Sequence, residues 1–404
     1  MKMLRHGYVT APLIGVLWAF VVAITVSVVM SFATGQSFRP AFPGWLIIGL
    51  VMAIAILHGP NKRAVLIGAT LLALASMFTP FTSIIIGDTV GLGIKLLTGL
   101  SFGVFTTLGL QNMLTEVTPE KLTRHAFEDA VIRFLTGFGY VVFTAAVFIP
   151  FYVMVMTSLK SQQALLQNPL DFSIDFSKGT DLFRSYIELF ADFNFGTYLW
   201  TSFYVSVLTV LITLLFSVPG AYAVARLRFK GQAAFSRSIL LIYMVPLIVL
   251  ALPIYIAFSM LGLRNTVFGI VLIYPVTTIP VALYMLQGYF RGLPVEIEEA
   301  GLMDGLSRLK VIWKITLPLS LPALVSVSLY VFMIAWNEFL LAFMLLDDPS
   351  KFTLTRGVSM LNTSEIPRQH LMAGAVIATV PIMVLFLGLE RFMTKGLTAG
   401  SVKG

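Results

Sequence analysis

Ten stretches of this chain, each about 17 residues or longer, run almost without a charged side chain: 11–33, 42–58, 64–86, 90–111, 137–158, 198–225, 236–260, 265–288, 320–345 and 371–390. A helix of about 20 apolar residues crosses the roughly 30 Å hydrocarbon core of a bilayer. The stretches are continuous and do not alternate apolar with polar, which disfavours β-barrel strands. They predict an all-α polytopic membrane protein of about ten transmembrane helices. The second stretch is the shortest, cut off by Pro60-Asn61-Lys62, and a tight turn at 59–63 pairs it with the third.

Composition agrees. Only 11% of the 404 residues are charged, against about 25% in soluble domains. With no cysteine in the chain, disulfides and thiolate metal sites are excluded. His6, His58, His125 and His370 are scattered without metal-ligand spacing. The net charge of +8 sits in loops between apolar runs, where orientation signals belong, so no nucleic-acid partner is expected.

With the N-terminus inside, about two thirds of the 27 Lys and Arg fall in inner loops, which predicts that both termini face the cytoplasm. The first run exceeds the roughly 7–15 residues of a signal-peptide core, so it is read as a retained span. A charged segment at 112–136 separates a four-span part, residues 1–111, from a six-span part, residues 137–404. Thr118-Pro119-Glu120 reads as a helix start. Asp88 and Lys95 read as a local charge pair.

Residues 298–318, EEAGLMDGLSRLKVIWKITLP, interrupt the apolar pattern. At 100° per residue Leu302, Leu306, Leu309 and Trp313 share one arc, with Asp304 and Arg308 opposite. Gly inside a helix costs about 1 kcal/mol relative to Ala, so Gly305 is expected to mark a bend between two short helices. Glu296, Glu298 and Glu299 lead the segment. Helices lying on lipid usually present Lys and Arg to the anionic inner leaflet, so the acidic lead favours a basic groove on a soluble partner.

Here the residues resemble a known family. Glu299-Ala300-Gly301, Asp304-Gly305 and Ile315-Thr316-Leu317-Pro318 look like the EAA loop of ABC importer permeases, with Gly301 in place of the usual second alanine. AYAVARLRFKG at 221–231, LPIYIAFSMLGLRNT at 252–266, AWNEFLLA at 335–342 and the tail GLTAGSVKG at 396–404 are similar to the maltose-type, carbohydrate-uptake branch. The resemblance covers about 137–404. It implies a six-helix type I importer core behind a four-helix N-terminal extension, in a bacterial or archaeal cytoplasmic membrane.

It also implies that loop 290–318 couples to an ATPase through Glu299, Ala300, Gly301, Leu302, Asp304, Gly305, Leu306 and Pro318. The implied partners are two copies of an ABC ATP-binding subunit, a second homologous permease, an extracytoplasmic solute-binding protein and membrane lipid. No phosphate-loop motif occurs, so ATP-Mg belongs to the partner ATPase and this chain binds no cofactor directly. Nor is a catalytic constellation legible.

Asn337 and Glu338 lie in the outer half of the ninth run. A carboxylate near the bilayer centre costs about 2.5–3.5 kcal/mol on insertion scales, so it faces a cavity or a partner. Two readings stand, a solute pathway and an interhelical hydrogen bond. Pro219, Pro246, Pro253, Pro275 and Pro280 interrupt the central spans, either as kinks or as packing irregularities. Alternative functions are a polyol or glycerol-phosphate-type solute, a secondary transporter, and a membrane scaffold recruiting a soluble partner.

Overall fold

The computed structural model describes residues 5–398 except 60, 88, 169, 170, 172 and 364, and leaves undescribed the side chains of 176, 240, 242, 243 and 390–398. The expected Asp88–Lys95 pair and the tail beyond 398 lie outside the described residues. The chain divides into two compact units, Met1–Leu182 and Phe183–Gly404. The helix over 124–158 thus clusters with the residues before it.

The first unit holds α1 (Gly7–Thr34), α2 (Phe42–His58), α3 (Lys62–Ser76), α4 (Leu92–Met113), α5 (Arg124–Ser158) and the short α6 (Gln162–Gln167). Its helices meet through small residues, as bilayer helices must when lipid is as apolar as their side chains. Gly15 and Gly49 face each other across α1 and α2, and a Cβ on either would come within 2.6 Å of the other's carbonyl oxygen. Gly99 and Gly103 of α4 lie likewise against Leu74 and Thr70 of α3. A two-stranded antiparallel sheet, β1 (Phe38–Pro40) with β2 (Ile84–Ile86), closes one end in the register Arg39↔Ile85.

The second unit holds α7 (Arg184–Asp192), α8 (Phe195–Arg226), α9 (Gln232–Tyr243), α10 (Leu247–Met260), α11 (Val267–Gly292), α12 (Val295–Met303), α13 (Arg308–Val311), α14 (Leu317–Leu319), α15 (Leu321–Asn337), α16 (Leu340–Leu345), α17 (Leu354–Met360) and α18 (Arg368–Thr398). A π-helical turn over Ile312–Thr316 joins α13 to α14. The α8–α11 pair forms its centre. Their shared face carries a fully buried hydroxyl contact, Thr213 Oγ1 to Thr278 Oγ1 at 2.6 Å.

Among the described residues six helices are long and apolar enough to cross a membrane, and a bent pair adds a seventh. The protein is therefore a multi-pass, all-α membrane protein, but three of the ten expected spans are not continuous helices. The third stops at Ser76 rather than running to 86, because Pro80 lacks the N–H a helix needs and biases Thr79 toward extended backbone. The isoleucine triplet after it pairs as a strand. The seventh breaks at 244–246, where Pro246 caps α10 in extended conformation. The ninth ends at Asn337, and it is preceded by a 78° bend between 308–319 and 321–337.

The helix start expected at Thr118-Pro119 is also displaced. Helix α5 begins at Arg124, where the Thr123 hydroxyl accepts the Ala126 N–H at 3.2 Å. Residues 118–122 instead strap the N-terminal segment, with Gly7 N donating to Glu120 O and Leu122 N to Arg5 O.

Candidate functional site

The loop 290–318 folds as α12, a turn at 304–307, and the helical run through α13 to α14. Pro294 precedes α12, with Glu296 and Glu298 in the first turn where the helix dipole favours negative charge. The far end closes as a Schellman motif: Leu306 N donates to Gly301 O and Gly305 N to Leu302 O, each at 3.1 Å. Gly305 has φ +82°, a left-handed conformation that side chains disfavour. The bend expected at Gly305 is present.

That bend splits the expected apolar arc. Leu302 and Leu306 are half-buried, whereas Leu309 and Trp313, on the next helical run, are 71% and 72% exposed. Met303, at the tip of α12, is 87% exposed. Glu299, Ala300, Asp304 and Pro318 are exposed as well. Gly301 is buried, and a Cβ there would come within 2.5 Å of Ile315 Cδ1. The missing methyl lets α12 pack against 311–316, and the helix holds its form from Val295 to Met303.

The acidic lead is not one surface. Glu298 is 6% exposed and points into the protein. Tyr222 of α8 donates its hydroxyl to Glu298 Oε2 at 3.1 Å, and Thr316 donates to Oε1 at 3.0 Å. Arg226 Nε stands 3.4 Å from Oε1, and the same guanidinium donates to the Leu293 carbonyl at 2.7 Å. Of the three leading acids, Glu296 and Glu299 remain exposed. Sequence reasoning missed this network, although Tyr222 and Arg226 lie in the quoted stretch 221–231.

Asn337 and Glu338 stand together at the break after α15 but face different ways. Asn337 Nδ2 donates to Met333 O at 2.9 Å on its own helix, and the residue is exposed. Glu338 accepts the Leu341 N–H at 2.8 Å and the Ala342 N–H at 3.1 Å, capping α16. Its backbone carbonyl accepts from Thr355 Oγ1 at 2.7 Å. A carboxylate that satisfies a helix start has a structural use at this depth.

Residues 217–398, which contain both places, match a family described as the binding-protein-dependent transport system inner membrane component. The inner membrane ABC transporter permease protein YcjP of Escherichia coli is 36% identical over 270 residues, 66% of this chain and 95% of that protein. The chain belongs to this permease family.

The trehalose/maltose transport system permease protein MalG of Thermococcus litoralis is 32% identical to this permease over 281 residues, covering 69% of the chain and 99% of the relative. Among solved structures, a bacterial ABC transporter involved in the import of the acidic polysaccharide alginate superposes with a TM-score of 0.57 at 22% identity, covering 67% of this chain and 98% of that one. That likeness concerns the fold. The permease is a membrane-embedded transport subunit.

Proposed function

We propose that this permease is the transmembrane subunit of an ATP-driven importer of a carbohydrate, and that loop 290–318 docks a separate ATPase. The carrying observation is the bent, exposed loop, whose Met303, Leu309 and Trp313 are accompanied by exposed Glu296 and Glu299. Large exposed apolar side chains mark a protein or membrane contact, and the acidic residues beside these favour a protein over an anionic leaflet. The relative named for trehalose and maltose supports the solute class.

In this reading two ATPase copies close on ATP-Mg and pull the loops of this chain and of a second, homologous permease. Solute arrives from an extracytoplasmic binding protein, and both termini of this chain face the cytoplasm. Glu299 supplies charge to the ATPase groove, Leu302 and Leu306 bury on docking, and Gly305 sets the angle between α12 and α13. Asn337, exposed beside the break, faces solute, and Glu338 holds the break open. The first 111 residues form an extension to a six-span core over 137–404, joined by 112–136.

The test is uptake of radiolabelled trehalose, maltose, glycerol and a glycerol phosphodiester by cells with and without the chain. Loss of disaccharide uptake alone supports the reading. Loss of glycerol or phosphodiester uptake alone moves the solute class, and loss of none refutes it.

A further inference from the structure

Helix α12 raises a mechanical problem. It has nine residues, and the only two it buries are Glu298 and Gly301. Short helices draw their stability from an apolar face packed on the fold, and this one fully buries no large apolar side chain. What ties it down is a carboxylate.

We infer that Glu298 is the fastener of the coupling loop, a positioning residue that makes α12, the end of α8 and the turn before α14 move as one body. The inference deepens the reading that α12 docks the ATPase. Oxygen Oε1 takes Thr316 and the Arg226 guanidinium, and Oε2 takes the Tyr222 hydroxyl. Arg226 reaches on to the Leu293 carbonyl at the end of α11, so four elements meet on one charge.

A buried carboxylate is costly unless it is paired and hydrogen-bonded. Here each oxygen accepts a hydroxyl from a different element, and Arg226 Nε adds the opposite charge at ion-pair distance without a hydrogen bond. Bonds from separate elements favour one geometry over a range. Both side chains of the ion pair are nearly closed off, at 10% and 7% exposed. The neighbouring Glu299 is free of this duty and lies on the exposed side. Force applied to α12 therefore reaches the membrane helix α8 directly, through Tyr222 and Arg226, without first bending the loop.

The chain lacks cysteine, so spin labels at Ile297→Cys on α12 and Arg228→Cys just past α8 report a single separation. The full chain is measured alone, then with its co-purified ATPase, nucleotide-free and trapped with ATP-Mg and vanadate. The unsubstituted network gives one narrow distance in all three states. Glu298→Gln broadens it roughly twofold or more and lets it shift on trapping, as a two-state joint would. Tyr222→Phe and Thr316→Val, which each remove one donor and keep the ion pair, fall between.

A Glu298→Gln distance as narrow as the unsubstituted one overturns the inference, and so does an unsubstituted distance that changes on trapping. If Glu298→Gln does not accumulate, the Tyr222→Phe and Thr316→Val distances decide, and narrow values in both overturn it. Failure of the unsubstituted chain to hold an ATPase counts against the docking reading instead, and the distance in the chain alone still tests the fastener.

Discussion

Gly301 of α12 lies so close to Ile315 that a Cβ on residue 301 would sit 2.5 Å from the Ile315 Cδ1 atom. The clash is with the far end of a flexible side chain, so a small group can be admitted and a large one cannot. Gly301→Ala is expected to lower thermal stability slightly. Gly301→Leu overpacks the contact and costs about 1–3 kcal/mol. Thermal unfolding of the purified chain in detergent reads both, and equal midpoints for the two variants would contradict the contact.

At Gly305 the constraint is backbone, not space: φ is +82° and nothing lies within 4 Å of an added Cβ. A β-branched residue in left-handed conformation costs about 1–2 kcal/mol, whereas Asn adopts it more readily. Gly305→Val is therefore expected to weaken ATPase recovery severalfold and Gly305→Asn much less. Binding measured against permease abundance checks the order, and an effect that follows side-chain volume rather than φ preference would contradict it.

Glu338 holds two N–H groups at the start of α16. Leaving buried donors unsatisfied costs about 1–3 kcal/mol. Glu338→Ala is expected to lower the unfolding midpoint, whereas Glu338→Gln keeps one acceptor and costs less. Asn337→Ala, at an exposed site whose side chain bonds among the described residues to its own helix, is expected to leave stability unchanged and to alter uptake kinetics. If uptake by Asn337→Ala matches the unsubstituted protein at equal abundance, the pathway reading of Asn337 is wrong.

Outside the spans, Lys160 Nζ stands 2.8 Å from Asp171 Oδ2, and Ser173 donates its hydroxyl at 2.6 Å and its N–H at 2.9 Å to Oδ1. Partial burial pulls the Asp171 carboxyl upward, but the bonds from Lys160 and Ser173 outweigh it and hold the group at about 2, below its ordinary 3.8. A depressed carboxyl stabilises the fold above its unfolded value, and that contribution is lost as pH falls through the folded one. Pepsin nicking of the segment after Ser158 is thus expected to rise as pH falls from about 3.8 toward about 2. In Asp171→Asn, which has no carboxyl to titrate, nicking is expected to be raised already at the upper end of that window and to lose this pH dependence. Identical profiles would contradict the linkage.

The membrane class and most helix positions were legible because a bilayer demands long apolar runs, and those runs survive any tertiary arrangement. Where the sequence misled, local chemistry overrode hydropathy. Thr79-Pro80 ends a helix before the isoleucines that continue its apolar run, and Pro246 divides a run of otherwise uniform apolarity. The bend at Gly305 was legible because only glycine takes that conformation cheaply.

The Glu298 network was not legible. Adjacent glutamates on a helix project about 100° apart, so Glu298 and Glu299 cannot share one environment, but which is buried depends on Thr316 beyond the bend and on Tyr222, 76 residues away in sequence. Burial of a charge is settled by partners, and partners are a property of the fold.

The central claim, that the exposed tip of loop 290–318 holds the ATPase, is best tested at its surface. Deleting the loop would also remove Glu298 and Thr316 from the interior. Met303→Asp and Leu309→Asp alter only exposed side chains. The measurement is the amount of ATPase recovered per permease in a mild-detergent pull-down, beside the thermal midpoint of each chain. The account predicts ATPase on the unsubstituted chain and its loss from both variants at unchanged midpoints. Equal recovery from all three chains, or no ATPase from the folded unsubstituted chain, would contradict it.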